Sequence, residues 1–450
     1  MPTRAELERI QFEAMADDIA IDMETMSLWT EEQAKTYFES GGTVAPPPPD
    51  PRAASAAAKE RGTAHLKAGE FALAIAAYRE ALSLGPEDEA ALHSNLSLAL
   101  LKAGDAEGAA AAAEASVALK PRWHKAHYRL GDACFERRDY AKARDAFGKA
   151  AELADGDAEV AAALRLATEA AKGGLWLQQL RPGHDIALHP TTQLEALVFG
   201  AAKQMSNLIY LVGDLTTREC YVVDACWDCK GIHSFARRHR MKIVGAIASH
   251  YHFDHTGGLP PASLRSMVFG PFEGGKDLRL PGLHEMARDF SARVYVHALE
   301  VQLISNQCQL EEKELVPLQD GQLLPVGAAG VLEVFHTPGH SGGSICLCIR
   351  KNQSATTDAA VALTTTAGTK AHALMVGDTI FPGSCGRLDL PDSNINHMFE
   401  TMQKLRELDE NLTVYPGHGY GGLQTTIAAE KRSGMLRPFT RDQWLQLLAN

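Results

Sequence analysis

A chain of 450 residues is long enough for two or three domains and a substantial core. Apolar residues make up 45% and charged residues 22%, the composition of ordinary globular material rather than of a disordered chain. The 44 Lys and Arg against 56 Asp and Glu leave a net charge of −12, which argues against a nucleic-acid partner held by general electrostatics, and the sequence has no apolar run long enough to suggest a membrane span.

Residues 1–53 read as an N-terminal helical segment and a linker. Thr30-Glu-Glu-Gln33 has capping-box spacing, Gly41-Gly42 is a natural stop, and Leu28, Trp29, Tyr37 and Phe38 give the helix something to bury against a neighbour. Pro46 to Pro49, followed by Asp50-Pro51, predicts a stiff, extended connection. The acidic start has no apolar core followed by a cleavage site, so it reads as neither signal nor transit peptide.

Residues 54–173 repeat. Gly62, Ser97 and Gly131 are spaced by 35 and 34 positions, and Ala81, Ser116 and Ala150 by the same offsets. Pro86 and Pro121 close the first two units. Each unit holds two amphipathic helices with small residues where they must approach closely, and a further helix at about 156–172 caps the stack. This period and pattern resemble the tetratricopeptide repeat, three copies plus a capping helix.

Residues 174–436 change to short apolar runs separated by Gly, Asp and Asn, and 437–450 read as a helical tail. Leu208–Val212, Tyr221–Val223 and Ile243–Ala248 are predicted strands. Asp224 reads as a strand-end turn, Cys226-Trp-Asp-Cys229 as an incidental loop. After the third strand come His250, His252, Asp254 and His255 in six positions. On an extended backbone His250 and His252 point to the same side, and imidazole with carboxylate suits zinc, iron or manganese. Three later segments each end an apolar run in a ligand beside Gly: Pro338-Gly-His340, Gly377-Asp378 and Pro416-Gly-His418. Tyr251 and Phe253 read as packing residues, and His184, His189 and His336 as structural histidines. Residues 259–297 read as an insertion walling a substrate cleft, and 352–370, rich in Ser, Thr and Ala, as a mobile surface insertion. Eight cysteines without framework spacing predict reduced thiols and a cytoplasmic protein.

The ordered set His-x-His-x-Asp-His, Pro-Gly-His, Gly-Asp, Gly-His over about 195–430 resembles the metallo-β-lactamase superfamily. Gly377-Asp-Thr-Ile-Phe381 followed by Cys385-Gly-Arg387 is similar to its glyoxalase II (hydroxyacylglutathione hydrolase) and persulfide dioxygenase branches. The resemblance implies a multidomain chain: an all-α tetratricopeptide repeat solenoid followed by an αββα metallo-β-lactamase sandwich. Carried over by position, it implies two divalent transition metals, zinc or alternatively iron or manganese. His250, His252 and His340 would hold the first, Asp254, His255 and His418 the second, and Asp378 would bridge them. It gives Asp254 a catalytic role in orienting the attacking water and Arg387 a role in binding the carboxylate of a glutathione-like thiol, with pairing to neighbouring acids or an ordinary structural salt bridge as the alternatives. The implied activity is hydrolysis of thioesters such as S-acylglutathione. The alternatives are a mononuclear iron persulfide dioxygenase and a chaperone-associated adaptor with secondary or no catalysis.

Within the repeats, Lys59, Asn95, Lys125 and Arg129 fall on positions that resemble the carboxylate-clamp subclass of chaperone adaptors. That resemblance implies binding of an acidic chaperone tail ending Glu-Glu-Val-Asp. The clamp's first asparagine is replaced by Thr63.

Overall fold

The computed structural model describes residues 39, 50–154, 156–272, 278–352 and 369–448. The expected N-terminal helix, nearly all of the Pro-rich linker and nearly all of the 352–370 insertion lie outside them. The chain divides into two compact units, Met1–Ala171 and Lys172–Asn450.

The first unit is built from helices α1 (Pro51–Ala68), α2 (Phe71–Ser83), α3 (Glu89–Lys102), α4 (Ala106–Leu119), α5 (His124–Glu136), α6 (Tyr140–Leu153) and α7 (Ala158–Lys172). They pack as the hairpins α1/α2, α3/α4 and α5/α6, as the repeat predicts. The recurring small residues sit at the crossings. A Cβ on Gly62 would lie 2.8 Å from the Tyr78 ring, and one on Gly131 would lie 2.6 Å from Phe147. Ser97, their equivalent in the second repeat, donates its hydroxyl to the Ala109 carbonyl at 2.8 Å, so a polar group is tolerated in the seam because it is satisfied. Asp50, Asp88, Asp105 and Asp139 cap α1, α3, α4 and α6 through side-chain bonds to first-turn amides. The capping helix α7 adds Ala163, Ala167 and Ala170 to a cluster with Phe135, Phe147 and Tyr140.

The second unit continues with β1 (Leu175–Leu180), α8 (Gln193–Met205), β2 (Ile209–Asp214), β3 (Glu219–Val223), α9 (Cys229–Arg238), β4 (Lys242–Ile247), the single turn α10 (Phe253–Thr256), α11 (Ala262–Phe269), α12 (Leu283–Arg288), β5 (Arg293–His297), α13 (Val301–Cys308), β6 (Leu315–Leu318), β7 (Leu323–Val326), β8 (Gly330–His336), β9 (Ile345–Asn352), β10 (Thr369–Gly377), α14 (Ile395–Arg406), β11 (Thr413–Pro416), β12 (Thr425–Thr426), α15 (Ile427–Ser433) and α16 (Arg441–Leu448). One sheet runs β1 to β6 in order, the other β12-β11-β10-β9-β8-β7. Alternation along β9 explains the layering: Ile345, Leu347 and Ile349 join the core between the sheets, and Cys346 and Cys348 face the helices outside. Leu332 and Val334 of β8 and Ala373 and Met375 of β10 share that central core, with Tyr210, Val212 and Ile247 from the facing sheet. Helices α9, α12 and α13 cover the first sheet, and α14 to α16 the second. The αββα arrangement implied by the resemblance is therefore the one found.

The expectation for 259–297 is corrected. Its last five residues are β5, paired in parallel between β4 and β6, because Val294 and Val296 alternate into the core. The stretch before α12 borders the loop after β4 through the pairing of Gly258 with Leu280. No helix among the described residues is long and apolar enough to cross a membrane.

Candidate metal centre

Four strands, β4, β8, β10 and β11, end where their following loops converge. His250 and His252 follow β4 on a bent segment before α10, where the sequence predicts an extended backbone, and Asp254 and His255 ride on α10 itself. His252 Nδ1 lies 2.9 Å from both His250 Nε2 and His340 Nε2. On the other side, His418 Nε2 lies 3.1 Å from His255 Nε2 and 3.2 Å from Asp254 Oδ2. Asp378 faces both groups. Its Oδ1 is 3.3 Å from His255 Nε2, and its Oδ2 is 3.6 Å from His340 Nε2 and 3.4 Å from His418 Nε2. The structure thus brings together all seven residues singled out as ligands, with donor atoms grouped as His250/His252/His340, His250/His255/Asp378 and Asp254/His255/His418.

The outward-facing ring nitrogens are fixed by acceptors. His340 Nδ1 is 2.8 Å from the Arg387 carbonyl, and His418 Nδ1 is 2.7 Å from the Met205 carbonyl. A carbonyl only accepts, so Nδ1 carries a proton and Nε2 is the atom turned inward. His255 Nδ1 meets Asp224 Oδ2 at 2.9 Å, and the Ser249 hydroxyl lies between the same Asp224 oxygen, at 2.8 Å, and His250 Nδ1, at 3.0 Å. Asp224, read from sequence as a strand-end turn, has a left-handed backbone at φ 59°, and its carboxylate also braces His255 directly and His250 through Ser249.

Glycines beside the ligands make room for this density. A Cβ on Gly417 would stand 2.5 Å from Asp378 Oδ1, and one on Gly386 would stand 2.7 Å from His340 Nδ1.

The electrostatics fit a divalent cation. Burial and the facing histidines hold His250 well below its usual range and bring His252 down to about 4, so both are neutral and free to ligate. Burial alone would raise Asp254 and Asp378, yet the neighbouring His255 and His418 keep both below the usual carboxylate range. Burial would likewise depress His255, but Asp378, Asp254 and Asp224 outweigh it and raise it to about 9. His418 is driven up well above its usual range by Asp378 and Asp254 against the same burial penalty. The buried carboxylates therefore demand positive charge where the inward nitrogens point. Asp378 Oδ1 is buried without a hydrogen-bond partner among the described residues, an atom with unused capacity aimed at that place.

Arg387 makes the salt bridge that is the alternative to a substrate-binding role. Its guanidinium, 70% exposed, makes a bidentate pair with Asp389 at 2.9 and 2.7 Å, and what reaches the centre is its main-chain carbonyl. Sequence reasoning passed over Asn207 and Trp227. Asn207 Nδ2 donates to Asp254 O at 3.0 Å and Oδ2 at 3.1 Å, and Trp227 Nε1 donates to Asn207 Oδ1 at 3.0 Å. The signal was an Asn directly ahead of an all-apolar strand. In Cys226-Trp-Asp-Cys229 the tryptophan, not the cysteines, reaches toward the centre; both thiols are buried and unbridged. Tyr420 stacks on His418 with centroids 4.7 Å apart and rings 5° from parallel.

In the repeat unit, Lys59 lies on α1, Asn95 on α3, and Lys125 and Arg129 on α5, each on the first helix of its hairpin. Lys125 is exposed and the other three are half-buried. Arg129 Nη1 is 3.6 Å from Asp132 Oδ2 one turn along. Thr63 turns its hydroxyl to the Lys59 carbonyl at 2.9 Å.

Comparison with known proteins matches residues 203–353 to the metallo-beta-lactamase superfamily and residues 59–122 and 94–158 to the tetratricopeptide repeat. The chain is 34% identical over 238 residues to an uncharacterized protein of Mycobacterium leprae, covering 50% of this chain and 89% of that one. It is 27% identical over 234 residues to a hydroxyacylglutathione hydrolase of Pseudomonas aeruginosa, 51% of this chain and 69% of the relative. It is 22% identical over 217 residues to a probable polyketide biosynthesis zinc-dependent hydrolase of Bacillus subtilis, 48% of this chain and 74% of the relative.

Proposed function

The chain belongs to the metallo-β-lactamase superfamily, with tetratricopeptide repeats ahead of that domain, and we propose that it is a dinuclear metallohydrolase of thioesters, S-acylglutathiones among them. The observation that carries this reading is Asp378, whose Oδ2 faces both His340 and His418 and whose Oδ1 faces His255. His250, His252 and His340 would hold one divalent transition metal, zinc in our reading, and Asp254, His255 and His418 a second, with Asp378 between them. Such a pair, when bound, lowers the pKa of a shared water towards neutrality and polarises a carbonyl oxygen. Asp254 is held anionic, and Asn207 and His418 engage its Oδ2. Its Oδ1 would then be the atom free to orient the attacking water and accept its proton. Asn207 and Trp227 keep that carboxylate from turning, and Asp224 and the Arg387 and Met205 carbonyls keep the imidazoles aimed. A thioester substrate is supported by the likeness to hydroxyacylglutathione hydrolases. The exposed Arg387 guanidinium would exchange Asp389 for a carboxylate of the thiol.

For the repeats, the reading is a clamp in which Lys59, Asn95, Lys125 and Arg129 receive the carboxylates of an acidic chaperone tail. Eight cysteines free of disulfides support a cytosolic location.

Protein purified without chelator should carry close to two transition metals per chain and cleave S-lactoylglutathione faster than a β-lactam. His252→Ala should lose metal and turnover together. Full hydrolysis by metal-stripped protein would overturn the reading, and oxygen uptake with glutathione persulfide without thioester cleavage would replace it with the iron dioxygenase.

A further inference from the structure

We propose that Glu300 is a positioning residue for the first metal triad, a buried carboxyl group that ties the loop carrying His340 to the corner between β5 and α13. The inference rests on the metal-centre reading above and goes beyond it, because Glu300 touches none of the seven ligands.

The geometry is specific. Glu300 is 2% exposed. Its Oε1 accepts the Ser341 hydroxyl and the Gly343 amide, the latter at 3.1 Å. These two donors lie one and three residues after His340, on the Gly-rich turn between β8 and β9. The approach requires glycine: a Cβ on Gly343 would stand 2.6 Å from Glu300 Cγ. The Tyr251 amide, between His250 and His252, also faces the carboxyl. One side chain therefore meets the loops that carry all three histidines of that triad. The turn is braced further by the Ser341 and Ser344 hydroxyls at 2.7 Å and by His336 Nε2 against the Gly342 carbonyl at 3.0 Å. His336 in turn stacks on His297, three residues before Glu300, with centroids 4.2 Å apart.

A role in stability alone is a poor account of this residue. Oε2 is buried with no hydrogen-bond partner among the described residues. Burial pushes it up to about 7. A buried carboxyl with one idle oxygen costs folding free energy that an apolar side chain of similar volume would not. What the carboxyl supplies, and an apolar group cannot, is a two-donor anchor that fixes where His340 begins its turn. Groups that hold a ligand in place from outside the coordination shell typically change metal affinity about 10- to 100-fold when lost.

The test is a Co²⁺ titration of the chelated full-length protein, read by the visible absorption of the bound ion. The two binding steps are assigned with His252→Ala and His418→Ala. Glu300→Ala should weaken the His252-dependent step about 10- to 100-fold and leave the His418-dependent step within about two-fold. Glu300→Gln, whose Oε1 can still accept both bonds, should retain most of the affinity, and Ser341→Ala should fall between. Thermal unfolding of each chelated variant reports the fold separately. Wild-type affinity at both steps in Glu300→Ala, or an equal loss at both, would overturn the positioning role. If Glu300→Ala does not fold, an unchanged His252-dependent step in Ser341→Ala would overturn it instead. A wild-type protein that takes up no Co²⁺ would overturn the metal centre itself, a different result from either.

Discussion

Replacing Asp224 by Asn tests how far the centre depends on groups that never touch metal. Asp224 is 3% exposed and makes three bonds: to the Ser249 amide at 2.7 Å, the Ser249 hydroxyl at 2.8 Å and His255 Nδ1 at 2.9 Å. The asparagine oxygen can keep the Ser249 amide. Its NH₂ then occupies the Oδ2 position and presents hydrogens to a ring nitrogen that itself needs an acceptor. His255 relieves the clash by moving its proton to Nε2, the atom that faces Asp254, Asp378 and His418, and the lone pair is lost to the second metal. A charge-assisted buried bond contributes about 1.5–3 kcal/mol, and every ~1.4 kcal/mol is tenfold in affinity. The second metal should therefore bind about 10- to 100-fold more weakly, in line with other outer-shell substitutions. Competition against a chelator of known affinity measures the loss, and circular dichroism of the stripped protein checks that the fold is intact. Second-site affinity equal to wild type, in a folded Asp224→Asn protein, would refute the argument.

Three further expectations follow from the same geometry. Gly417→Ala places a methyl 2.5 Å from Asp378 Oδ1 and 2.9 Å from His255 Cε1, so it should cut turnover at least tenfold with unchanged secondary structure; wild-type kcat would show that the site yields more than its packing allows. The chelated protein should lose stability on the alkaline side: His255 is raised from 6.5 to about 9, so its contribution is complete below pH 6.5 and disappears as pH climbs through about 9. Melting curves from pH 6 to 10 should fall for stripped protein and stay flat for metal-loaded protein, and parallel curves would contradict this. In the repeats, Arg129 is shared with Asp132 at 3.6 Å; a weak, part-exposed pair is worth about 0.5–1 kcal/mol, so Asp132→Asn should tighten binding of a peptide ending Glu-Glu-Val-Asp about two- to five-fold, measured by titration against its amidated form.

The seven candidate ligands stood out because each is a chemically distinctive residue: four in one dense cluster after a strand, and three beside Gly at the ends of apolar runs. The repeat was legible for a related reason: the closeness of Gly62 to Tyr78 and of Gly131 to Phe147 leaves no choice of side chain, so the period survives in the sequence. The groups that aim the ligands left fainter marks. Two of them are carbonyls, of Met205 and Arg387, and any residue carries a carbonyl. Arg387 drew notice for its guanidinium, while the structure uses its backbone.

β5 was missed for a different reason. Arg293-Val-Tyr-Val-His297 does alternate, but it follows a long stretch of helix and loop, and a parallel strand's partners are far away in sequence. Missing the strand also hid what comes after it. Glu300 sits three residues beyond β5, where an isolated acid on an apolar helix start reads as an N-terminal charge facing solvent. Only once β5 is placed inside the sheet does that position point inward, towards Ser341 and Gly343. Ligand identity is written locally, in residue type and spacing. Ligand aim is set by contacts between segments such as 300 and 341, and it becomes readable only when the topology has brought them together.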